Sequence, residues 1–501
     1  MSSPAPTATP NLVQPAAPAG GGTALLRPRR PMGVLAYLGM AGLAGSILVI
    51  LLADSPTAVG VAVLTAMVLL ILSGLPVALS LTLPSILGVL ALASPLAAFN
   101  VMAAAPAAAV SSWSMSVLPM FIFMGMLLSQ SGVATSIYRA ADLWFRWLPG
   151  GVGIGTTAAG AGLSAVSGSS IGMTYTLGRT GIPEMLRAGY DKRVAVGTVI
   201  VAGLPGALIP PSILMLVYAG VASVPVGKQL MAGVVPGVLI AVMFSLVILL
   251  VGFLAPRLVG RGADAAAAAP VTWRDRFQAL LDAWALPVIM LVLIGGMFSG
   301  FFTPTEAGAV AAFVSLLICL WNKRNDHPFA AVGEATRATV AATGAIMFLL
   351  IGAEFLTRVL ALTGISPLVT KIIVDMQLSP VVFLLALAVL YLFMGMFFDT
   401  LSMMFLTVPV LLPTLAQMGI DPIWFGVFIV LMGEVGMITP PVGVIIYVLH
   451  GIAQDRRVNL GQTITLRDVI TPVLWFTPLV MVFVLLLILV PQIALWLPGL
   501  M

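Results

Sequence analysis

Apolar runs long enough to cross a bilayer recur along this chain from residue 33 to residue 497. The hydrocarbon core of a bilayer is about 30 Å thick, which about 20 helical residues span. Inside it the backbone must satisfy its own hydrogen bonds, so only helices and closed barrels cross. These runs are continuous and lack the polar alternation of a barrel wall, so helices are expected. With 60% of its 501 residues hydrophobic and 8% charged, the chain carries too few charges to disperse in water. The expected fold class is an all-α polytopic membrane protein. Its segments are 33–53, 57–74, 76–95, 113–132, 149–183, 193–222, 230–254, 284–300, 304–321, 335–360, 380–416, 423–450 and 471–497.

Two segments, 149–183 and 380–416, are too long for one straight crossing. Each has a polar or small-residue centre, Ser167-Gly168-Ser169-Ser170 in the first and Phe397-Phe398-Asp399-Thr400 in the second. Both read as re-entrant hairpins that enter and leave on one side. With the N-terminus inside, every Lys and Arg then falls inside except Lys228 and Lys371, which fall outside, and Arg179 and Arg358, in or near the membrane. That separation follows the positive-inside rule, and it fails if either hairpin is counted as one crossing. The C-terminus then lies outside. The net charge of +5 is therefore a topology signal, not a nucleic-acid footprint. Residues 1–31, rich in Pro, Ala and Gly, read as a disordered cytoplasmic tail. Segment 33–53 is too long for the core of a cleaved signal peptide and reads as an additional helix within 32–55.

Two other segments are broken by similar sequences, GLPGALIPPS at 203–212 and GEVGMITPPV at 433–442. A shift of 230 residues superposes them. Gly206 falls on Gly436, and Pro210 and Pro211 fall on Pro440 and Pro441. Pro183, Gly189 and Asp191 meet Pro413, Gly419 and Asp421; Ser169 meets Asp399, Ser170 meets Thr400 and Met173 meets Met403. The copies, 56–256 and 284–501, have opposite orientations and are joined by a cytoplasmic linker, 257–283. Inverted repeats with breaks at matching positions mark secondary transporters, because unwound backbone persists at membrane depth only where it is buried or lines a polar cavity.

These features point to two oxygen cages for a hard cation. The first combines Ser167, Gly168 and Ser169 with Gly206, Ile209 and Pro210 of the first break. The second combines Asp399 with Gly436, Thr439 and Pro440. Tight helix packing is the competing explanation for the small residues, and helix capping or an Arg partner for Asp399. Ser170, Thr400 and Arg358 are the candidate substrate contacts, although Arg358 and Arg179 sit near segment ends where arginines snorkel. Glu354 and Glu434 are membrane-depth acids without an assigned partner. Cys319 is the single cysteine and there are two histidines, so neither an intramolecular disulfide nor a zinc cluster is expected. No nucleophile–base pair or H-E-x-x-H motif points to an enzyme.

The stretches SGSSIGMTYTLG, IPEMLRAGYDKRVA, LPGALIPPSILMLVYAG, FFTPTEAGAVAA, GMFFDTLSMMFLTVPVLLP, GIDPIWFGV and GMITPPVGVIIYVLHGIA resemble the large membrane subunit of tripartite ATP-independent periplasmic (TRAP) transporters, over residues 57 to about 480. The resemblance implies an elevator-type importer of organic acids in the bacterial inner membrane, driven by two or more Na⁺ ions. It implies a small four-helix membrane subunit and a periplasmic substrate-binding protein as partners. One extra helix, 33–53, cannot replace that subunit. A stand-alone sodium/dicarboxylate or anion transporter of the same superfamily is the alternative, and the organic acid stays open between C4-dicarboxylates, sialic acids and related carboxylates.

Overall fold

The computed structural model describes residues 34–111, 115–167, 170–260 and 271–501, so the N-terminal tail, Gly168 and Ser169 lie outside the described residues. Its elements are helices, with one isolated antiparallel bridge between Tyr190 and Val259. Proline and a preceding polar residue start many of them. Ser94 caps Pro95–Val110, Ser379 caps Pro380–Gly395 and Asp421 caps Pro422–Met437, each side chain accepting a first-turn amide. Thr303 and Glu306 form a reciprocal capping box on Pro304–Asn322. Proline at the first position loses no hydrogen bond there, and the capping oxygen satisfies an amide otherwise left bare.

Five helices are long and apolar enough to cross a membrane alone: Val226–Leu254, Pro304–Asn322, Pro328–Thr363, Thr400–Gln417 and Leu466–Leu489. Two more apolar units are bent pairs, Val117–Gln130 with Val133–Phe145 at 70° and Trp273–Asp282 with Ala285–Phe298 at 48°. The outer faces expose Leu48, Leu246, Phe253 and Val389, as expected of surfaces that meet lipid tails.

Both expected hairpins form. The first pairs Gly151–Ser167 with Ser170–Arg187, and the second pairs Pro380–Gly395 with Thr400–Gln417. Both expected broken helices form as well. The first runs Lys192–Ala202, a tight turn at Pro205–Ala207, then Ile213–Val221; the second runs Pro422–Met437, then Val444–Ile452. The Pro210–Pro211 and Pro440–Pro441 bonds are both cis.

Three features depart from the segments expected from sequence. Residues 95–110 form a helix where a loop was expected, because Ser94, Pro95 and an alanine-rich run outweigh its weak apolar signal. Together with Val117–Gln130 it covers the same length as the 36-residue helix Pro328–Thr363, its counterpart in the second repeat. Helix 328–363 is roughly 54 Å long at ~1.5 Å per residue, well beyond the expected 335–360 and beyond one bilayer core. Amphipathic helices Val133–Phe145 and Ile365–Asp375 follow these counterparts through Gly132 (φ +80°) and Gly364 (φ +67°), a left-handed geometry that glycine adopts without steric cost. Each amphipathic helix packs on its own repeat's hairpin.

Packing sorts the helices into a frame and an inner group. In the frame, Val77–Leu92 packs on 328–363 and 304–322 packs on 117–130, a reciprocal exchange between repeats. In the inner group, each hairpin packs on the first half of its own repeat's broken helix, and its second arm packs on the second half of the other's. The additional helix Val34–Leu52 lies outside, against Pro56–Leu72 and 77–92.

Candidate functional site

Close backbone approach brings each break against its hairpin. A Cβ added at Gly436 would lie 2.5 Å from the Cα of Gly395, and one at Gly433 would lie 2.5 Å from Thr400 Cγ2. In the first repeat, a Cβ added at Gly206 would lie 2.0 Å from Ser164 Cβ, and one at Gly203 would meet the flexible end of Met173. Each break thus carries a Gly-x-x-Gly pair that packs on its own repeat's hairpin.

The breaks free backbone oxygens. Among the described residues, no group donates to the carbonyls of Leu208, Ile209 and Pro210, or to those of Ile438, Thr439 and Pro440. Gly206, Ile209 and Pro210 are buried, and Pro440 is half-buried. The Thr439 hydroxyl bonds back to the Val435 carbonyl at 2.7 Å, and its amide donates to Gly436 at 2.9 Å. Ser212 Oγ caps the second half of the first broken helix and donates to the Ala207 carbonyl. Buried carbonyls with no donor call for a cation, a water or a ligand.

The second hairpin tip brings an acid to this region. Asp399 stands at the N-cap of Thr400–Gln417 yet makes no capping bond; its Oδ1 accepts from the Ser402 hydroxyl. Thr400 Oγ1 donates to Glu434 Oε1 at 3.1 Å. This acid is 1% exposed. Its Oε2 has no hydrogen-bond partner among the described residues.

Sequence reasoning left Glu434 without a partner because its partner, Thr400, belongs to another segment. The signal was a lone acid between Gly433 and Gly436 in an otherwise apolar helix. It missed Ser164 and Thr198 as well, whose buried hydroxyls make no hydrogen bond among the described residues; Ser164 faces Gly206 and Thr198 lies on the helix leading into the break.

Of the other expected site residues, Ser167 ends the first arm of hairpin one. Arg358 is half-exposed on helix 328–363, where its Nη2 and Nε meet Glu354 Oε1 at 2.8 and 2.9 Å. That pairing of neighbours one turn apart engages the guanidinium. Arg179 lies over the Tyr175 ring, 4.6 Å from its centroid. At the start of the first broken helix, Asp468 binds Lys192 Nζ at 2.8 Å and Arg193 Nε at 3.1 Å, which ties helix 466–489 to that element.

The family profile described as tripartite ATP-independent periplasmic transporter, DctM component, matches residues 64–493. This chain belongs to that family. It is 32% identical to the C4-dicarboxylate TRAP transporter large permease protein DctM of Vibrio cholerae, over 85% of this chain and 95% of that protein. It is 28% identical to the sialic acid TRAP transporter large permease protein SiaM of the same organism, over 78% of this chain and 87% of that one. Among solved structures, the Alcanivorax borkumensis YdaH transporter shares the fold, with a TM-score of 0.56 and 16% identity over 80% of this chain and 89% of that chain. The DctM-family chain is thus a transmembrane large permease, and its described core is the paired hairpins and breaks.

Proposed function

We propose that this DctM-family permease imports an organic acid, coupled to Na⁺, with a small membrane subunit and a periplasmic binding protein. The observation that carries the reading is the pair of carbonyl-lined breaks, each packed on its own repeat's hairpin. Sodium is a hard ion that takes oxygen ligands, and the breaks offer such oxygens with no competing donors. Gly206, Ile209 and Pro210 with the tip 167–169 form the first proposed cage. Asp399, Gly436, Thr439 and Pro440 form the second. Ser170 and Thr400 stand where a substrate would meet both tips; the Arg358–Glu354 pair favours a structural place for Arg358.

A C4-dicarboxylate is the first substrate class to test, since relatives at 31–32% identity bear that name. The two hairpins and their arms move as a body against the frame in an elevator motion; the glycine joints at Gly132 and Gly364 support that division. Proteoliposomes holding this chain, its small subunit and the binding protein should take up the acid only with an inward Na⁺ gradient. Saturable uptake by this chain alone would move the reading to a stand-alone transporter.

The orientation places the first hairpin open to the cytoplasm and the second to the outside, with the N-terminus inside and the C-terminus outside. Helix 95–110 belongs to one unit with 117–130 and adds no crossing of its own. A cysteine introduced at Ala188, in the turn after the first hairpin, should react only with reagents that reach the cytoplasmic face. Labelling from the periplasm would overturn this map.

A further inference from the structure

The chain between the second broken helix and helix 466–489 folds around a cavity of about 580 Å³, whose lining includes His450, Gln454, Arg456, Gln462, Thr463 and Ile464. That volume is in the range of small-molecule sites. The loop that forms it is held in shape from three sides. Gln454 Nε2 lies 3.0 Å from the Ile464 carbonyl, 3.1 Å from the His450 carbonyl and 3.2 Å from His450 Nε2, which pins the loop to the end of helix 444–452. Asn459 donates to the Ala453 carbonyl at 3.0 Å and accepts the Gly461 amide at 2.9 Å. Lys192 Nζ, from the first broken helix, donates to the Thr463 carbonyl at 2.7 Å. The amides of Thr463 and Ile464, by contrast, have no acceptor among the described residues.

The charge around this cavity is uncompensated. From His450 to Arg467 the chain carries Arg456, Arg457 and Arg467 but only one acid, Asp455, whose carboxylate accepts the Arg457 amide. The next acid in the chain, Asp468, is already held by Lys192 and Arg193. All three arginines are exposed, and none has a carboxylate partner among the described residues. Toward the membrane the surface turns apolar, where helices 444–452 and 466–489 pack on each other. Tyr447, one turn before His450, is 49% exposed; Leu474 and Trp475, two turns after Arg467, are 58% and 56% exposed. Residues two helical turns apart share a face, so Arg467 stands at the foot of this apolar strip. A soluble anion would use the cavity alone, whereas an amphiphile uses both surfaces. We infer that this is a binding site for an anionic phospholipid. Its phosphate meets Arg456 and the amides of Thr463 and Ile464, and its tails run along Tyr447, Leu474 and Trp475. Basic pockets between membrane helices hold anionic headgroups in this way. Bound there, the lipid braces the second half of the second broken helix against helix 466–489. The orientation proposed above serves only to assign it to the cytoplasmic leaflet.

The test uses the purified full chain in mixed micelles of phosphatidylglycerol and phosphatidylcholine, read by native mass spectrometry. The chain should retain phosphatidylglycerol in preference to phosphatidylcholine. The double variant Arg456→Gln/Arg467→Gln should lower that occupancy by about tenfold, in keeping with two lost charge contacts. Arg337→Gln, at another exposed arginine on helix 328–363, should leave it unchanged. A photoactivatable phosphatidylglycerol should label wild-type peptides within 447–475, and this arm decides the matter if the double variant fails to fold. Glycerophosphoglycerol, the same headgroup without tails, and inorganic phosphate should not displace the lipid. Displacement by either would assign a soluble-anion site and overturn the inference. So would undiminished phosphatidylglycerol on the folded double variant, or labelling confined to other segments. Transport enters none of these measurements, so their failure leaves the Na⁺ cages untouched.

Discussion

Asp399→Asn should raise the Na⁺ concentration for half-maximal uptake at least tenfold, or abolish uptake, while the protein still assembles with its small subunit. The Asp399 carboxylate is half-buried at the tip of the second hairpin, makes no bond to the amides of its own helix and is contacted by Ser402. Capping therefore does not explain it. A carboxylate and a Na⁺ ion about 4 Å apart attract by about 4 kcal/mol at an effective dielectric of 20. Desolvation offsets part of this, but a loss of only about 1.4 kcal/mol is already tenfold in affinity. The helix-terminal field contributes less, about 0.3–1 kcal/mol for an acid at that end. Each Na⁺ moving inward gains about 2.3 kcal/mol per 100 mV of membrane potential, so losing one coupled ion also lowers the attainable accumulation. Uptake of a labelled dicarboxylate across a Na⁺ series, with co-purification of the small subunit as the assembly control, checks the expectation. Unchanged Na⁺ dependence would make Asp399 structural.

Gly436→Ala should reduce uptake to below a tenth of wild type and destabilise the complex by about 1–3 kcal/mol, the usual cost of forcing extra volume into a packed interior. The added Cβ would meet the Cα of Gly395 at 2.5 Å, backbone against backbone, with no side chain free to rotate away. The second hairpin must then move off the break, which shifts the tip that carries Asp399. Gly451→Ala is the control, because a Cβ there meets nothing within 4 Å. It should alter neither uptake nor the melting temperature of the purified complex. Equal behaviour of the two variants would show that the hairpin and the break are not held by this contact.

The repeat itself was legible because glycine and proline act on the backbone where they stand. A double proline ends a helix whatever surrounds it, so the breaks at 203–212 and 433–442 could be placed without a structure. Apolar run length is equally local, and the hairpins formed at 151–187 and 380–417 against expected bounds of 149–183 and 380–416. Membership in the transporter family was legible for the same reason, since its motifs are these local breaks and tips in a fixed order.

Other features depended on neighbours distant in the chain. The helix at 95–110 has too weak an apolar signal to stand out, and only its packing on 328–363 shows it to be part of the frame. Arg358 reads as a substrate anchor until Glu354, one turn away, is seen holding it. Glu434 reads as an acid without a partner until the second hairpin brings Thr400 to it. The sequence determined which segments enter the membrane and where their helices break, because hydropathy and backbone freedom belong to single residues and short runs. Only the tertiary structure decided which oxygens face one another across those breaks, because a contact between segments is set by the packing of the whole inner group and leaves no periodic mark in either segment.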